Sequence, residues 1–130
     1  MVKGVLSARD ALEAVRQGAD AVYISNHGGR QLDSSPATLD VLPEVVEAVG
    51  DRAEVLLDGG VRRGEDVVKA RALGARACLA GRPWFLALGG GGRPLLEQWL
   101  ELVRRDVDRT LALVGVPRFD DLGPDVLRGP

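Results

Sequence analysis

The chain has 130 residues, of which 45% are hydrophobic, and a formal net charge of −2 at pH 7. This size allows one modest domain with a real core, and the small charge gives no reason to expect nucleic acid or a membrane surface as a partner. No apolar run approaches the roughly 18 residues of a membrane span, and no signal-peptide pattern follows Met1. The sequence therefore predicts a soluble, cytoplasmic protein. A single cysteine, Cys78, excludes a disulfide framework and is expected to be a buried structural thiol.

Short apolar strands and amphipathic helices alternate in the first part of the chain. Strands are predicted at residues 2–6 and 21–25. Between them, Ser7 is a suitable cap for a helix whose apolar residues recur at helical spacing until Gly18. A second amphipathic stripe covers residues 39–49, and Pro43 is expected to mark or kink an early turn of that helix.

The same alternation continues in the second part. A strand is predicted at residues 54–57, a helix at residues 64–73 that Gly74 ends, and a strand at residues 77–80. A glycine run at residues 89–92 is expected to separate these elements from a long final helix at about residues 94–114. The tail from Pro117 onward is predicted to be loop.

An internal repeat accompanies this alternation. A shift of 56 residues aligns several positions, among them Gly4 with Gly60, Val5 with Val61 and Asp10 with Asp66. Strands alternating with helices of this size indicate right-handed βαβ units around a parallel sheet. Four such units in two related pairs look like half of a (β/α)8 TIM barrel, since a whole barrel needs about 250 residues.

Glycines and polar side chains follow each predicted strand, where a barrel of this type carries its chemistry. These positions hold Lys3 with Gly4, then residues 25–30, residues 58–63 and residues 81–83. The last two loops, "LDGGVRRG" and "AGRP", combine glycines, arginines and a following helix, which together suit an anion. We therefore predict phosphate binding there; the alternative is that these glycines only shape tight turns.

Four motifs carry a family resemblance that covers nearly the whole chain. In order and spacing, "VKGV", "SNHGGRQLD", "LDGGVRRGEDVVKARALGA" and "GRP" resemble the C-terminal half of the FMN-dependent α-hydroxy acid oxidases and dehydrogenases, which include glycolate oxidase, lactate oxidase and mandelate dehydrogenase. The resemblance implies an α/β fold of the (β/α)8 TIM-barrel type. Residues 1–130 would form its C-terminal half, with about four βα units and a long C-terminal helix. It also implies FMN as cofactor and oxidation of a 2-hydroxy acid to a 2-oxo acid.

The resemblance assigns His27 and Arg30 to the substrate. His27 would bind the substrate and act as the catalytic base, a role that suits an imidazole because its unperturbed pKa lies near 6.5. Arg30 would bind the substrate carboxylate through two parallel N–H donors. Hydride transfer and a carbanion route both remain open, as do the terminal electron acceptor and the particular 2-hydroxy acid. The simpler alternatives are a histidine that hydrogen-bonds its own loop and a surface arginine without a specific contact.

The resemblance assigns the remaining motif residues to the cofactor. Lys3 would lie against the N1 and O2 side of the flavin ring, where a cation stabilises the reduced flavin, and Ser25 would touch the ring. The ribityl phosphate would be held on one side by Asp58, Gly59, Gly60, Val61 and Arg62, and on the other by Gly81 and Arg82. Gln31, Leu32 and Asp33 are expected to be structural.

The chain departs from the family because the first four strands, with their active-site residues, are not in it. We therefore expect the chain to be inactive alone, and the barrel to be completed by a homo-oligomer or by a missing N-terminal half. Two other functions stay open. One is another FMN- or phosphate-binding barrel half, similar to inosine monophosphate dehydrogenase, which would leave His27 and Arg30 without a role. The other is a non-catalytic remnant.

Overall fold

Four parallel strands lie in chain order, β1-β2-β3-β4, in the computed structural model, which describes residues 1–127. The strands are β1 (Val2–Val5), β2 (Ala21–Ile24), β3 (Glu54–Leu57) and β4 (Ala77–Cys78). Lys3 pairs with Tyr23, which in turn pairs with Leu56, so these three residues form one row across the sheet. Within the part of the chain that is described, β1 and β4 each have a neighbouring strand on one side only.

A helix follows each strand, as the βα pattern predicts. The helices are α1 (Ala8–Arg16), α2 (Thr38–Val49), α3 (Gly64–Ala72) and α4 (Arg82–Val114). The predicted cap of α1 is confirmed, because the Ser7 hydroxyl accepts a hydrogen bond from the Asp10 N–H at 3.1 Å. Short 3-10 turns occupy His27–Gly29, Gly50–Arg52, Phe119–Asp121 and Pro124–Val126.

The main core lies between the sheet and helices α1 and α2, and Ala70 of α3 also belongs to it. Apolar side chains from β2 and β3 pack there against the apolar stripe of α2, which buries Val45 and Val49 completely. A smaller cluster joins α3 to the tail, where Leu122 is buried against Val68 and Ala72. The tail predicted as loop therefore consists of short turns that fold back onto α3.

The largest difference from the sequence prediction concerns the final helix. A helical segment that the sequence analysis did not predict begins at Arg82 and runs up to the glycines, so that α4 extends from Arg82 to Val114. Gly91 (φ −153°, ψ 15°) and Gly92 (φ 63°, ψ −158°) leave helical geometry, so the glycine run divides α4 into two helical segments, and the second begins close to the predicted residue 94. Pro83 in the first turn is the start signal that this region contains.

Several smaller expectations need correction. Strands β1, β2 and β4 end at Val5, Ile24 and Cys78, earlier than predicted. Pro43 lies inside α2, which begins at Thr38 and continues to Val49. Cys78 is a free thiol, but it is half-buried rather than fully buried. Within residues 1–127, no helix is both long and apolar enough to cross a membrane.

Candidate functional site

Residues from three strands meet at the carboxyl edge of the sheet. The Lys3 ammonium donates a hydrogen bond to Ser25 Oγ at 2.8 Å and lies 3.3 Å from Asp58 Oδ2. The Ser25 hydroxyl donates to Asp58 Oδ1 at 2.6 Å. Because parallel strands end at the same edge, residues separated by more than 20 positions come into direct contact here. Three of the predicted cofactor residues therefore form one polar cluster.

The loop after β2 presents His27. Asn26 holds this loop, since its Oδ1 accepts a hydrogen bond from the Gly28 N–H at 3.0 Å and its Nδ2 donates to the Pro36 carbonyl at 3.2 Å. His27 has φ +56°, and among residues 1–127 it is the only non-glycine residue with a positive φ. Such a backbone costs about 1–3 kcal/mol and is typical of functional sites. The His27 side chain is exposed at the edge of the sheet.

The loop after β3 contains two consecutive glycines, Gly59 and Gly60, which are called the glycine cradle below. Gly59 and Gly60 have φ values of +89° and +87°, which glycine adopts without strain. A Cβ added to Gly59 would lie 2.9 Å from Thr38 Oγ1. The buried Thr38 hydroxyl donates to the Asp58 carbonyl at 2.5 Å, so helix α2 holds this loop in place.

The loop after β4 leads directly into α4. Arg82, the first residue of that helix, donates from Nη2 to the Gly28 carbonyl at 3.0 Å. A Cβ on Gly28 would lie 3.2 Å from the same nitrogen, so glycine allows this close approach. The start of α4 is thereby joined to the histidine loop.

Two hollows open between these loops and share the glycine cradle. The larger has a volume of about 740 Å³ and the smaller about 360 Å³. The larger is lined by His27, Arg30, Asp58, Gly59, Gly60, Val61, Arg62, Gly81 and Arg82, and by apolar side chains that include Leu79, Trp84, Phe85, Leu86 and Trp99. Among residues 1–127, Arg30, Arg62 and Arg82 form no salt bridge. The larger hollow is thus lined both by arginines that form no salt bridge and by apolar side chains.

This combination of groups fits FMN. A glycine cradle with neighbouring arginines suits a phosphate, because backbone and guanidinium donors can approach it closely. The apolar side chains suit an aromatic ring system, and Lys3 supplies a positive charge at the same edge. Every predicted site residue except Lys3 and Ser25 lines the larger hollow, and these two contact Asp58, which does.

Four features of the site are absent from the sequence prediction. Tyr23 donates from its hydroxyl to Asp58 Oδ2 at 2.9 Å, and Thr38 and Asn26 hold the loops described above. The fourth is the apolar side of the hollow, to which Trp84 and its neighbours contribute. The sequence contained one signal for the role of Tyr23, since it is a single tyrosine between the valine and the isoleucine of β2.

Two pKa values are raised near this edge of the sheet. Burial, and then the hydrogen bond to Asp58, raise the pKa of Tyr23 well above its ordinary value. Burial, together with the negative charge of Asp66, raises the pKa of Cys78 to about 11. Both groups therefore stay protonated and uncharged at neutral pH.

Known proteins resemble the chain along most of its length. The Arabidopsis thaliana peroxisomal (S)-2-hydroxyacid oxidase GLO3 is 52% identical over 122 residues, which are 94% of this chain and 34% of that protein. The pre-mycofactocin synthase of Mycolicibacterium smegmatis is 47% identical over 130 residues, all of this chain and 33% of that protein. A soluble mutant of the membrane-associated (S)-mandelate dehydrogenase from Pseudomonas putida superposes with a TM-score of 0.94 at 45% identity, covering 99% of this chain and 37% of that structure.

These likenesses confirm the predicted barrel-type fold and its partial extent. The chain spans about a third of the length of the curated relatives it matches. The family model described as FMN-dependent dehydrogenase matches residues 1–129. The chain therefore belongs to the FMN-dependent dehydrogenase family.

Proposed function

We propose that residues 1–130 are the C-terminal half of an FMN-dependent barrel that oxidises a 2-hydroxy acid to a 2-oxo acid. One observation carries this proposal: a single hollow is lined by His27, Arg30, Arg62 and Arg82 beside the glycine cradle. An exposed imidazole next to unpaired guanidinium groups is suited to an anionic substrate that must lose a proton. The names of the hydroxyacid oxidase and mandelate dehydrogenase relatives support the same class of substrate.

The cofactor would be held by the residues that the sequence singles out. Lys3 and Ser25 would contact the flavin ring. Asp58, Gly59, Gly60, Val61 and Arg62 would hold the ribityl phosphate from one side, with Gly81 and Arg82 on the other. Bound FMN supplies the acceptor for the two electrons that leave the substrate. The Lys3 ammonium would stabilise negative charge on the reduced ring.

The substrate would be bound and deprotonated by the histidine loop. The Arg30 guanidinium would pair with the substrate carboxylate and so fix the orientation of the molecule. A ring nitrogen of His27 would then take the proton of the substrate hydroxyl, while the hydrogen on the α-carbon would leave with the electron pair that the bound cofactor accepts. Asn26 supports this role indirectly, because its two hydrogen bonds hold the backbone that presents His27.

The two alternative functions account for less of the site. A phosphate-binding barrel half similar to inosine monophosphate dehydrogenase would use the glycine cradle but would give His27 and Arg30 no task. A non-catalytic remnant would have no need of the strained His27 backbone. The first alternative predicts that replacing His27 leaves the reaction unaffected, and the second predicts no reaction to begin with, so an activity that depends on His27 excludes both.

A chimera tests the proposal directly. This chain replaces the matching 37% of (S)-mandelate dehydrogenase, which it resembles with a TM-score of 0.94. We expect the chimera to bind FMN and oxidise mandelate, and His27→Gln to lower kcat by about 10²–10⁴-fold, the range for general-base catalysis, with FMN content unchanged. Glu47→Gln, on the exposed side of α2, is the matched control. A chimera that binds FMN and keeps its turnover after His27→Gln would refute the proposal.

We further propose that the protein acts in the cytoplasm and associates into a homo-oligomer or with a separate N-terminal half. The free Cys78 thiol supports a reducing compartment, and the open edges of β1 and β4 support association. Cell fractionation followed by immunodetection tests the location. Recovery with peroxisomes or membranes, as the names of two relatives would suggest for those proteins, would contradict it.

A further inference from the structure

Tyr23 lies in the middle of the sheet, next to Lys3. The two residues pair across β1 and β2, and the Lys3 ammonium lies 4.8 Å from the centre of the Tyr23 ring. This distance is within the range of a cation–π interaction. Tyr23 is only 5% exposed, whereas the Lys3 side chain is 45% exposed. A buried aromatic ring therefore supports a long, partly exposed lysine side chain.

The Tyr23 hydroxyl reaches the same carboxylate as Lys3. It donates to Asp58 Oδ2 at 2.9 Å, and the Lys3 ammonium lies 3.3 Å from that oxygen. Ser25 completes the cluster: its single proton goes to Asp58 Oδ1, and its oxygen accepts from the Lys3 ammonium and from the His27 N–H at 3.2 Å. Asp58 thus accepts hydrogen bonds from Tyr23 and Ser25 and forms a salt bridge with Lys3, and the cluster extends to the histidine loop.

The residue type at this position is informative. The neighbours of Tyr23 in β2, Val22 and Ile24, belong to the main apolar core, whereas Tyr23 points to the opposite face of the sheet. Tyr23 is nevertheless buried, and a buried hydroxyl is unfavourable unless it is hydrogen-bonded. Asp58 provides that bond. Without Tyr23, Asp58 Oδ2 would interact with Lys3 alone. Because a lysine side chain is flexible and has many rotamers, that single contact would fix neither group in position.

We propose that Tyr23 is a positioning residue for Lys3: its hydroxyl fixes Asp58, its ring supports the ammonium, and together they hold the Lys3 charge at the carboxyl edge of the sheet. What that charge does for a bound flavin rests on the proposed function. The placement of Lys3 by Tyr23 does not, so it is tested without FMN.

The chain has only two lysines, Lys3 and Lys69, which makes the lysine ε-methylene NMR signals a direct readout. In protein labelled with ¹³C-lysine, Lys69→Arg assigns the signals and serves as the control, because Lys69 is exposed on α3. We expect the Lys3 signal to be displaced by the ring current of Tyr23. In Tyr23→Phe, which keeps the ring but removes the hydroxyl bond to Asp58, this displacement should decrease, because Lys3 is then held less tightly, while the Lys69 signal stays in place. An unchanged Lys3 signal in Tyr23→Phe would overturn the proposal.

A second measurement uses the fact that Tyr23 is the only tyrosine in the chain. Its ionisation can be followed by tyrosinate absorbance in the intact protein, even where Tyr23→Phe fails to fold. We expect Asp58→Asn to shift this ionisation to lower pH, because the negative charge that disfavours tyrosinate is removed. Asp33→Asn, in the exposed loop after β2, should leave the titration unchanged. If the Tyr23 titration were the same in Asp58→Asn as in the parent, Asp58 would not be the partner of the Tyr23 hydroxyl, and the proposal would be overturned.

Discussion

Arg82 is the residue that connects the final helix to the histidine loop. Its guanidinium is bonded to the Gly28 carbonyl and also lines both hollows. The side chain can therefore serve a bound phosphate while it holds Gly28 next to His27. A lysine could not satisfy both requirements equally well, because the planar guanidinium offers several donors in a fixed arrangement.

Replacing Arg82 by alanine should weaken FMN binding. A charge-assisted hydrogen bond is worth about 1.5–3 kcal/mol, which corresponds to an increase in the FMN dissociation constant of roughly 10- to 150-fold. Fluorescence titration of the chimera with FMN measures this change. Arg16→Ala is the control, since Arg16 lies on α1 and pairs only with Glu13. An FMN dissociation constant unaffected by Arg82→Ala would show that Arg82 does not hold the cofactor.

Cys78 should make the folded state less stable at high pH. Its pKa is raised to about 11 from an ordinary value of 9.0, mainly by burial. Between these values the unfolded chain loses the thiol proton while the folded chain keeps it, so stability falls as pH rises, by at most about 1.4 kcal/mol per pH unit. Below about pH 9 this contribution is fully present.

Chemical denaturation at several pH values checks this expectation. In Cys78→Ala, the decline in the free energy of unfolding between about pH 9 and about pH 11 should be shallower than in the parent. The pKa of Tyr23 is also raised, so Tyr23 lowers the free energy of unfolding above its ordinary pKa of about 10, but it does so in both proteins. The difference between the two curves therefore reports the Cys78 thiol alone. Parallel curves for parent and variant would contradict the raised pKa of Cys78.

At the scale of the elements, the contact between α3 and α4 depends on Gly64. This glycine is buried at the start of α3, where the backbone of α4 passes close to it. A Cβ at position 64 would lie 2.5 Å from Asp106 Cβ and 2.6 Å from the Val103 carbonyl oxygen, and would also collide with the Val107 nitrogen. The two helices can approach this closely only because the side chain is absent.

We expect Gly64→Ala to destabilise the protein by about 1–3 kcal/mol or more, the range for overpacking, because the obstructing atoms are mostly backbone. Gly89→Ala is the matched control: no atom lies within 4 Å of its added Cβ, and alanine favours a helix by about 0.5–1 kcal/mol over glycine. Denaturant midpoints of the two variants should therefore shift in opposite directions. A Gly64→Ala midpoint equal to that of the parent would contradict this close packing.

The elements were more predictable from sequence than the contacts between them. Apolar periodicity predicts the four strands and most of the helices, because each buries one side against the core. The first part of α4 was not predicted, although Pro83 is a start signal there, whereas the glycines at residues 89–92 correctly predict the interruption of helical geometry at Gly91 and Gly92. The motifs identify His27 and Arg82, but Tyr23 and Thr38 act through partners 35 and 20 residues away, which no local pattern contains.

At the scale of the whole molecule, an apolar surface beside an open sheet should drive association. Phe85 and Leu86 are 65% and 67% exposed, and both line the larger hollow. In the described part of the chain, β1 and β4 also leave backbone hydrogen-bonding groups unpaired on one side. Exposed apolar surface of this kind next to free strand edges favours dimers or larger assemblies.

We expect the isolated chain to elute from size-exclusion chromatography as a dimer or larger species, to bind FMN weakly or not at all, and to oxidise no 2-hydroxy acid. Leu86→Glu should reduce the association, whereas Leu113→Glu, at the far end of α4, should not. Anaerobic bleaching of added FMN with glycolate, lactate and mandelate measures activity. A monomer whose flavin is bleached by any of the three would show that one half of the barrel is sufficient.

The strand order has a further consequence, for the exchange of backbone amide protons with solvent deuterium. Strands β2 and β3 have hydrogen-bonded neighbours on both sides, whereas β1 and β4 have one neighbour each in the described residues. Exchange is slowest where backbone hydrogen bonds open least often, so protection should decrease from the two central strands toward both edges. A partner that closes the barrel would pair the outer strands and remove this gradient. The protection of β1 and β4 therefore reports closure, whichever protein supplies the missing strands.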